Sequence, residues 1–378
     1  MVSHKKKDNR CLEFKGSEFF RMRLALSLLS HKNICISEIK NGGSIPGLAK
    51  YQETLLKMLE KLTNGSTILI AASGTRVRFT PGVLLGGEHE FDCPPDRGIG
   101  YYLEFLLYLA PFCKYPMEIT FKGVTNCRMD CSVDHIKYAF LPLMKRYIIR
   151  DDYTLDIRKR GLQPKGGGEV FFKFPIIKQL RPCNLIDMGK VCKIRGVAFR
   201  VKCNASHNKK MIHSARSLLN KIIPDVYITD DTTSVKGLCP GYGMCLYAET
   251  TEGHIIAAET MTKPEGTGLS RSPDEIGKEA AMRLLDECYL GGCVDHKTQS
   301  LLCVMMAMNS NNVVKAMVGP LHPFTQSVLR LLRDFFGIKF NFKQVEFDEE
   351  EEGERKGSSK VVLSCRGIAR QNIAKRLR

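Results

Sequence analysis

Tryptophan is absent from the 378 residues, and acids are scarce, with 40 aspartates and glutamates against 57 lysines and arginines. Without tryptophan the chain lacks the best ring for stacking a nucleobase, and no R-G-F-x-F signature of an RNA-recognition motif occurs. Contact with RNA would therefore be led by charge and shape, or made through other proteins. No C-x-x-C pair occurs, and Cys127/Cys131 and Cys288/Cys293 are spaced poorly for a zinc knuckle. No metal is expected. No run of about 18 apolar residues is present to span a bilayer, and M-V-S-H-K-K-K-D-N-R lacks the apolar centre of a signal peptide. These absences predict a soluble, intracellular chain with no membrane partner. The glycine-rich S-V-K-G-L-C-P-G-Y-G lacks the Lys-Ser/Thr ending of a phosphate-cradling P-loop.

What is present is a basic, core-forming sequence. A hydrophobic fraction of 43% excludes wholesale disorder, and the length allows about two or three domains. The net charge is +17, although six acids crowd into Asp348–Glu354. A folded surface of that sign expects a polyanion, whether RNA, DNA or an acidic protein. Fifteen scattered cysteines, an odd number, read as reduced thiols rather than a disulfide framework. Lys5–Lys7 and the final A-K-R-L-R are short basic ends, consistent with nuclear targeting or with plain solvated termini. The acidic run reads as a solvated loop.

Helix and strand patterns recur along the chain. Glu18–Ser30 predicts a helix, Ile34–Ile39 a strand and Leu48–Leu62 a second helix. Strands Thr67–Ala72 and Arg76–Thr80 then turn at Ser73–Gly74. The order returns with helix Gly100–Ala110, strand Met117–Lys122 and helix Val133–Tyr147, broken near Pro142. Strands Thr154–Arg158 and Glu169–Phe174 follow. It returns again with helix Thr298–Met308, strand Val313–Val318, helix Thr325–Phe336 and strands Lys339–Val345 and Lys360–Cys365. The fold class is thus α/β (α+β): three units of a four-stranded sheet with two helices. A smaller inserted α/β domain over 183–285 breaks the rhythm. The expected division is a basic tail (1–10), a core of the first two units (11–182), the insert, the third unit (286–370) and a basic tail (371–378).

Five stretches resemble, in order, landmarks of the RNA 3′-terminal phosphate cyclase superfamily: E-F-F-R-M-R-L-A-L-S-L-L-S, E-I-K-N-G-G-S-I-P-G-L, T-P-G-V-L-L-G-G, K-G-V-T-N and R-G-L-Q-P-K-G-G-G-E-V. Three repeated units with an insertion before the last look like the same superfamily. D-R-G-I-G-Y-Y-L-E, P-K-G-G-G-E-V and G-G-C-V-D-H-K-T-Q-S-L resemble its cyclase-like branch, which acts in eukaryotic ribosome biogenesis. The resemblance implies a scheme in which a histidine takes AMP from ATP, passes it to an RNA 3′-phosphate, and the 2′-hydroxyl displaces it. That histidine lies four residues before a glutamine opening an apolar helix, and four before Gln299 stands Asp295. A carboxylate there repels the incoming triphosphate and would form an acyl-adenylate. Asp295 reads instead as a helix cap. His296, the substitute nucleophile, is turned by about 100° if the segment is helical.

Other positions carried over from the family also depart from it. Phe14 takes the place of an acid before a phosphate-admitting loop, Lys40 replaces an arginine and loses its bidentate fork, and Gly43 replaces a basic residue. Arg21 is kept. An anion-binding surface of Arg21, Arg23 and Lys40 is expected to persist without the adenylation chemistry. Arg158, Arg160 and Lys165, beside Gly166–Gly168, are candidate contacts for a phosphate backbone. Branch members have been proposed to cut precursor ribosomal RNA, which makes Arg333 and Asp334 candidates for phosphorane cation and 2′-hydroxyl base. The resemblance implies no cofactor and a location in the nucleus, in the nucleolus. It also implies a scaffold for small-subunit assembly, a pseudoenzyme bound to a large nucleolar ribosome-assembly GTPase and to precursor ribosomal RNA in the small-subunit processome. An endoribonuclease is the alternative, and a residual ATP-dependent cyclase the third reading.

Overall fold

The computed structural model describes residues 11–373 except 41–45, 149, 232–236, 265–266, 269–270 and 346–356. Gly43, the acidic run Asp348–Glu354 and the first ten residues lie outside the described residues, as do the last five.

The first sheet places strands Leu12–Lys15, Ile34–Ser37, Val77–Thr80 and Thr67–Ile70 side by side in that order. Its first pair is parallel and the rest antiparallel. Helices α1 (Phe20–Ser30) and α2 (Lys50–Leu62) accompany it. The second sheet repeats this succession with Gly87–Asp92, Met117–Gly123, Gly168–Phe174 and Thr154–Lys159. Here α3 (Ile99–Leu109) is buried along its whole length, as expected of a helix apolar all round. The helix expected over 133–147 is α4 (Val133–His135), a wider π turn over Ile136–Phe140, and α5 (Leu141–Tyr147). Proline cannot donate the amide bond and its ring crowds the preceding turn, so the ladder widens just ahead of Pro142.

The insert's sheet orders Val226–Asp231, Val191–Val201, Gly241–Thr250 and Ile255–Met261. Helices α6 (Ser206–Leu219) and α7 (Pro273–Leu290) cover one face, forming a separate core around Ile194, Met211, Leu219, Met244, Ile276 and Leu284. The other face meets the main body, where the Tyr247 ring stacks on Tyr138 at 4.8 Å.

The chain then returns to the main core with α8 (Gln299–Met308), buried throughout, and α9 (Pro323–Phe336), buried on one side. Among the described residues their sheet has three strands, ordered Val313–Val318, Val361–Arg366 and Asn341–Gln344, all antiparallel, and Leu185 adds a parallel bridge to Ala316 at the place of a fourth. Asn341–Gln344 is an exposed edge bearing Phe342.

Strands Leu12–Lys15 and Gly87–Asp92 were not foreseen. Leu12–Lys15 alternates over only four residues and Gly87–Asp92 has a single large apolar residue, Phe91; each is held by parallel pairing to a buried neighbour. Within the stretch expected as a C-terminal tail, Asn372 is buried, its Nδ2 donating to the Cys113 carbonyl at 2.8 Å. Among the described residues no helix is long and apolar enough to cross a membrane.

Candidate functional site

Asp295 sits in the turn between Gly292 and α8, one of the best-buried carboxylates of the chain. Gly292 adopts a positive φ of 99° against the backbone of Val318–Gly319, where a side chain would have no room. Asp295 Oδ1 accepts from the Lys297 amide (3.1 Å) and the Thr298 amide (3.0 Å). The Thr298 hydroxyl lies 3.0 Å from both oxygens, and the Ala257 amide donates to Oδ2 at 3.3 Å. His135 Nε2 donates to Oδ1 at 3.2 Å. Acceptance from amides two and three residues ahead closes the Asp295–Thr298 turn; the N-cap of α8 itself is Thr298, which corrects the expectation that Asp295 caps the helix. Burial works to raise the pKa of Asp295, but adjacent His135, through its charge and hydrogen bond, holds it down to about 2.

Next to it, Glu259 of the insert accepts from Lys297 Nζ (2.6 Å) and the Ser132 amide (3.2 Å). Burial works to raise the Glu259 pKa, but Lys297 and His135 bring it below the usual carboxylate value. Cys131, His135 and Glu259 bring possible metal-ligand atoms within 4.8 Å of one another. Lys297 already neutralises Glu259, and burial holds the Cys131 thiol protonated, so the donor set suits a protein-closed network better than a cation. A cavity of about 130 Å³ opens beside it, between Asn126, Ser132, Phe199, Glu259, Arg283 and Lys297.

The loop through Asp130 and Ser132 links this network to an arginine cleft. Arg21 pairs with Glu104 and lies 4.8 Å over the Tyr101 ring. Arg97 donates through Nε to both Asp130 oxygens at 3.0 and 2.9 Å, and stacks on Tyr101 and Tyr51. Asp130 also accepts from the Gly98 amide at the start of α3. The depression, about 240 Å³, is lined by Ser17, Arg21, Tyr51, Arg97, Tyr101 and Phe324 among others. Each arginine thus has its own carboxylate, which leaves the cleft little net charge with which to draw an anion.

The remaining candidates do not gather here. Arg23 is corrected: it is buried, donating to the Gly16 carbonyl at 2.8 Å and lying over Phe14. Arg160 is corrected too. It is buried, forks onto Asp134 at 2.6 and 2.8 Å, and reaches Asn126 and Asp231. A guanidinium so engaged has no surface to offer a phosphate. Lys40 and Lys165 are exposed, and Arg158 is exposed but paired with Glu169 at 3.1 Å. Arg333 and Asp334 pair with each other at 3.4 Å on the exposed side of α9. Arg333 lines a shallow groove of about 530 Å³ with Leu329, Ile338 and Phe340.

His296 points away from the buried network: its Nδ1 is held by Glu287, whose other oxygen accepts the His296 amide at 3.1 Å. The hydrogen bond and charge of Glu287 raise the imidazole pKa. That contribution to stability is complete below the ordinary histidine value and is lost as pH rises through the raised one. Glu287→Gln is expected to bring the His296 titration back toward pH 6.5, read by NMR of the ring protons. An unmoved midpoint would show that Glu287 does not govern the ring.

Residues 12–342 match the family model described as RNA 3′-terminal phosphate cyclase. The chain belongs to that family. It is similar to the RNA 3′-terminal phosphate cyclase-like proteins of Bos taurus and Homo sapiens, 43% identical over 370 residues, 97% of this chain and 98% of each relative. It is also similar to an rRNA processing protein of Schizosaccharomyces pombe, 38% identical over 370 residues, 96% of this chain and 98% of that protein. This family membership gives the Asp295 network its interest. Arg97, Asp130, His135 and Glu259 escaped the sequence reading because their partners are remote; D-R-G-I-G, which holds Arg97, was the available signal.

Proposed function

We propose that this chain is a non-cyclase factor of ribosomal RNA processing, acting as a scaffold in nucleolar small-subunit assembly. In this reading it is bound to a large ribosome-assembly GTPase and to precursor ribosomal RNA, and is divided at about residues 183 and 285 as expected from the sequence. The relative named for rRNA processing and the +17 charge support the setting. The observation that carries the non-cyclase part is the state of Asp295. Its two oxygens receive five donor groups from Ala257, His135, Lys297 and Thr298, and it has almost no exposure. A group so saturated has no lone pair aimed at a nucleotide, and His296 beside it is committed to Glu287.

The test is incubation of pure protein with α-phosphate-labelled ATP and a 3′-phosphorylated oligonucleotide, alongside an uncut precursor RNA fragment. No acid-labile label and no cyclic end are expected. A label lost in His296→Ala would establish residual cyclase chemistry and sink the reading. Cutting of the fragment that Asp334→Ala abolishes in a folded protein would replace the scaffold by an endoribonuclease.

A further inference from the structure

Helix α6 enters the insert's core through Asn208, Met211, Ala215 and Leu219. Its other side carries Lys209, His213 and Arg216, with Lys210 and Lys221 nearby, all exposed. Positions 209, 213, 216 and 220 recur at helical spacing and make one stripe. At 1.5 Å rise per residue the two cations Lys209 and Arg216 stand about 10 Å apart along the axis, with His213 between them. No acid occurs from Ser206 to Lys221. Among the described residues no side chain pairs with Lys209, Lys210, His213 or Arg216.

The stripe lines a groove of about 540 Å³ together with Ile212, Ser217, Asn220 and Asp230. Asp230 is the one carboxylate of that lining, and it is already engaged by Arg200 (3.3 Å) and Asn208. Helix α2 gives the contrast: its exposed residues Lys50, Glu53, Lys57, Glu60 and Lys61 mix the signs, as ordinary solvated surface does. A row of one sign without partners raises the local potential and is relieved by a polyanion.

We propose that the α6 face of the insert is a contact surface for the phosphate backbone of RNA. The lining favours a nucleic acid over an acidic protein. Ile212 is its one apolar side chain and it holds no aromatic ring besides His213, whereas a protein interface is centred on buried apolar and aromatic anchors. Unpaired cations on one helix face, with Ser217 and Asn220 beside them, suit phosphates, which position RNA without reading its sequence. The proposal borrows from the processing role only the identity of the polyanion. Its test needs no processing step, so either can fail without the other.

The experiment is fluorescence anisotropy with a hairpin RNA between 50 and 200 mM salt. It compares the full chain, Lys209→Gln/Arg216→Gln, and a control of equal charge change, Lys57→Gln/Lys61→Gln. Thermal melting checks that all three fold. Losing two phosphate contacts lowers the slope of log K on log salt by about 1.4–1.8. Affinity at the lower salt is expected to drop about tenfold or more in the α6 variant, with the control close to the parent. Equal slopes in all three proteins, or the same loss in the control, would overturn the proposal. So would a variant that keeps RNA but loses a polyglutamate peptide, which assigns the face to an acidic protein.

Discussion

Arg160→Ala is expected to lower the stability of the folded chain by about 3–5 kcal/mol, the usual effect of stripping one partner from a buried ion pair. The reason is what remains behind. Asp134, 1% exposed, loses both bonds of a forked guanidinium and has no water to replace them. Asn126 and Asp231 each lose a donor, and the Phe199 ring loses the cation lying 4.4 Å over it. Asp134 belongs to α4 in the main body, while Asp231 and Phe199 belong to the insert's sheet. Arg160 therefore joins two bodies. Denaturant unfolding measures the loss, and limited proteolysis of the variant is expected to cut first near the insert. Arg158→Ala, two residues earlier and exposed, is expected to change stability by about 0–1 kcal/mol. Equal effects from the two variants would refute the internal role of Arg160.

Asp295→His, which puts an imidazole where the family resemblance places the nucleophile, is expected to give no adenylylated protein and a less stable fold. An imidazole offers at most one acceptor nitrogen, against a carboxylate pair now meeting five donors. Unmet buried donors cost about 1–3 kcal/mol each. Asp295→Ala should be comparably harmful, and Asp295→Asn the mildest because it keeps one oxygen. Acid titration supplies an independent check. Because the folded pKa is about 2, below the ordinary 3.8, the carboxylate contributes stability that is complete above about pH 4. That contribution, about 2 kcal/mol, fades as pH falls toward 2. The difference in stability between parent and Asp295→Asn should shrink over that same window. A difference independent of pH would mean that the charge of Asp295 plays no part.

Periodicity made the helices legible, since Leu55, Leu56, Leu59 and Leu62 could face only one way. The hairpin at Gly74 was legible because glycine there takes φ 68°. Leu12–Lys15 and Gly87–Asp92 were not, because the first is too short for its alternation to stand out and the second is mostly polar, and both are held by a neighbouring strand. Asp295 could be found from its spacing to Gln299, yet not its partner His135, 160 residues away. Arg160 was misread for a related reason: a basic R-K-R looks solvated until the fold brings Asp134 and Asp231 to it. Sequence shows which side chains carry charge, and only the tertiary pairing shows which of those charges remain to be answered.

Among the described residues no strand pairs with the outer side of Asn341–Gln344, beside an exposed Phe342. Left bare, such a border invites a second molecule to continue the ladder and begin an aggregate. Lys343 sits within the strand and is exposed. A second chain meeting this border would bring its own Lys343 toward the first, and that like charge discourages the ladder.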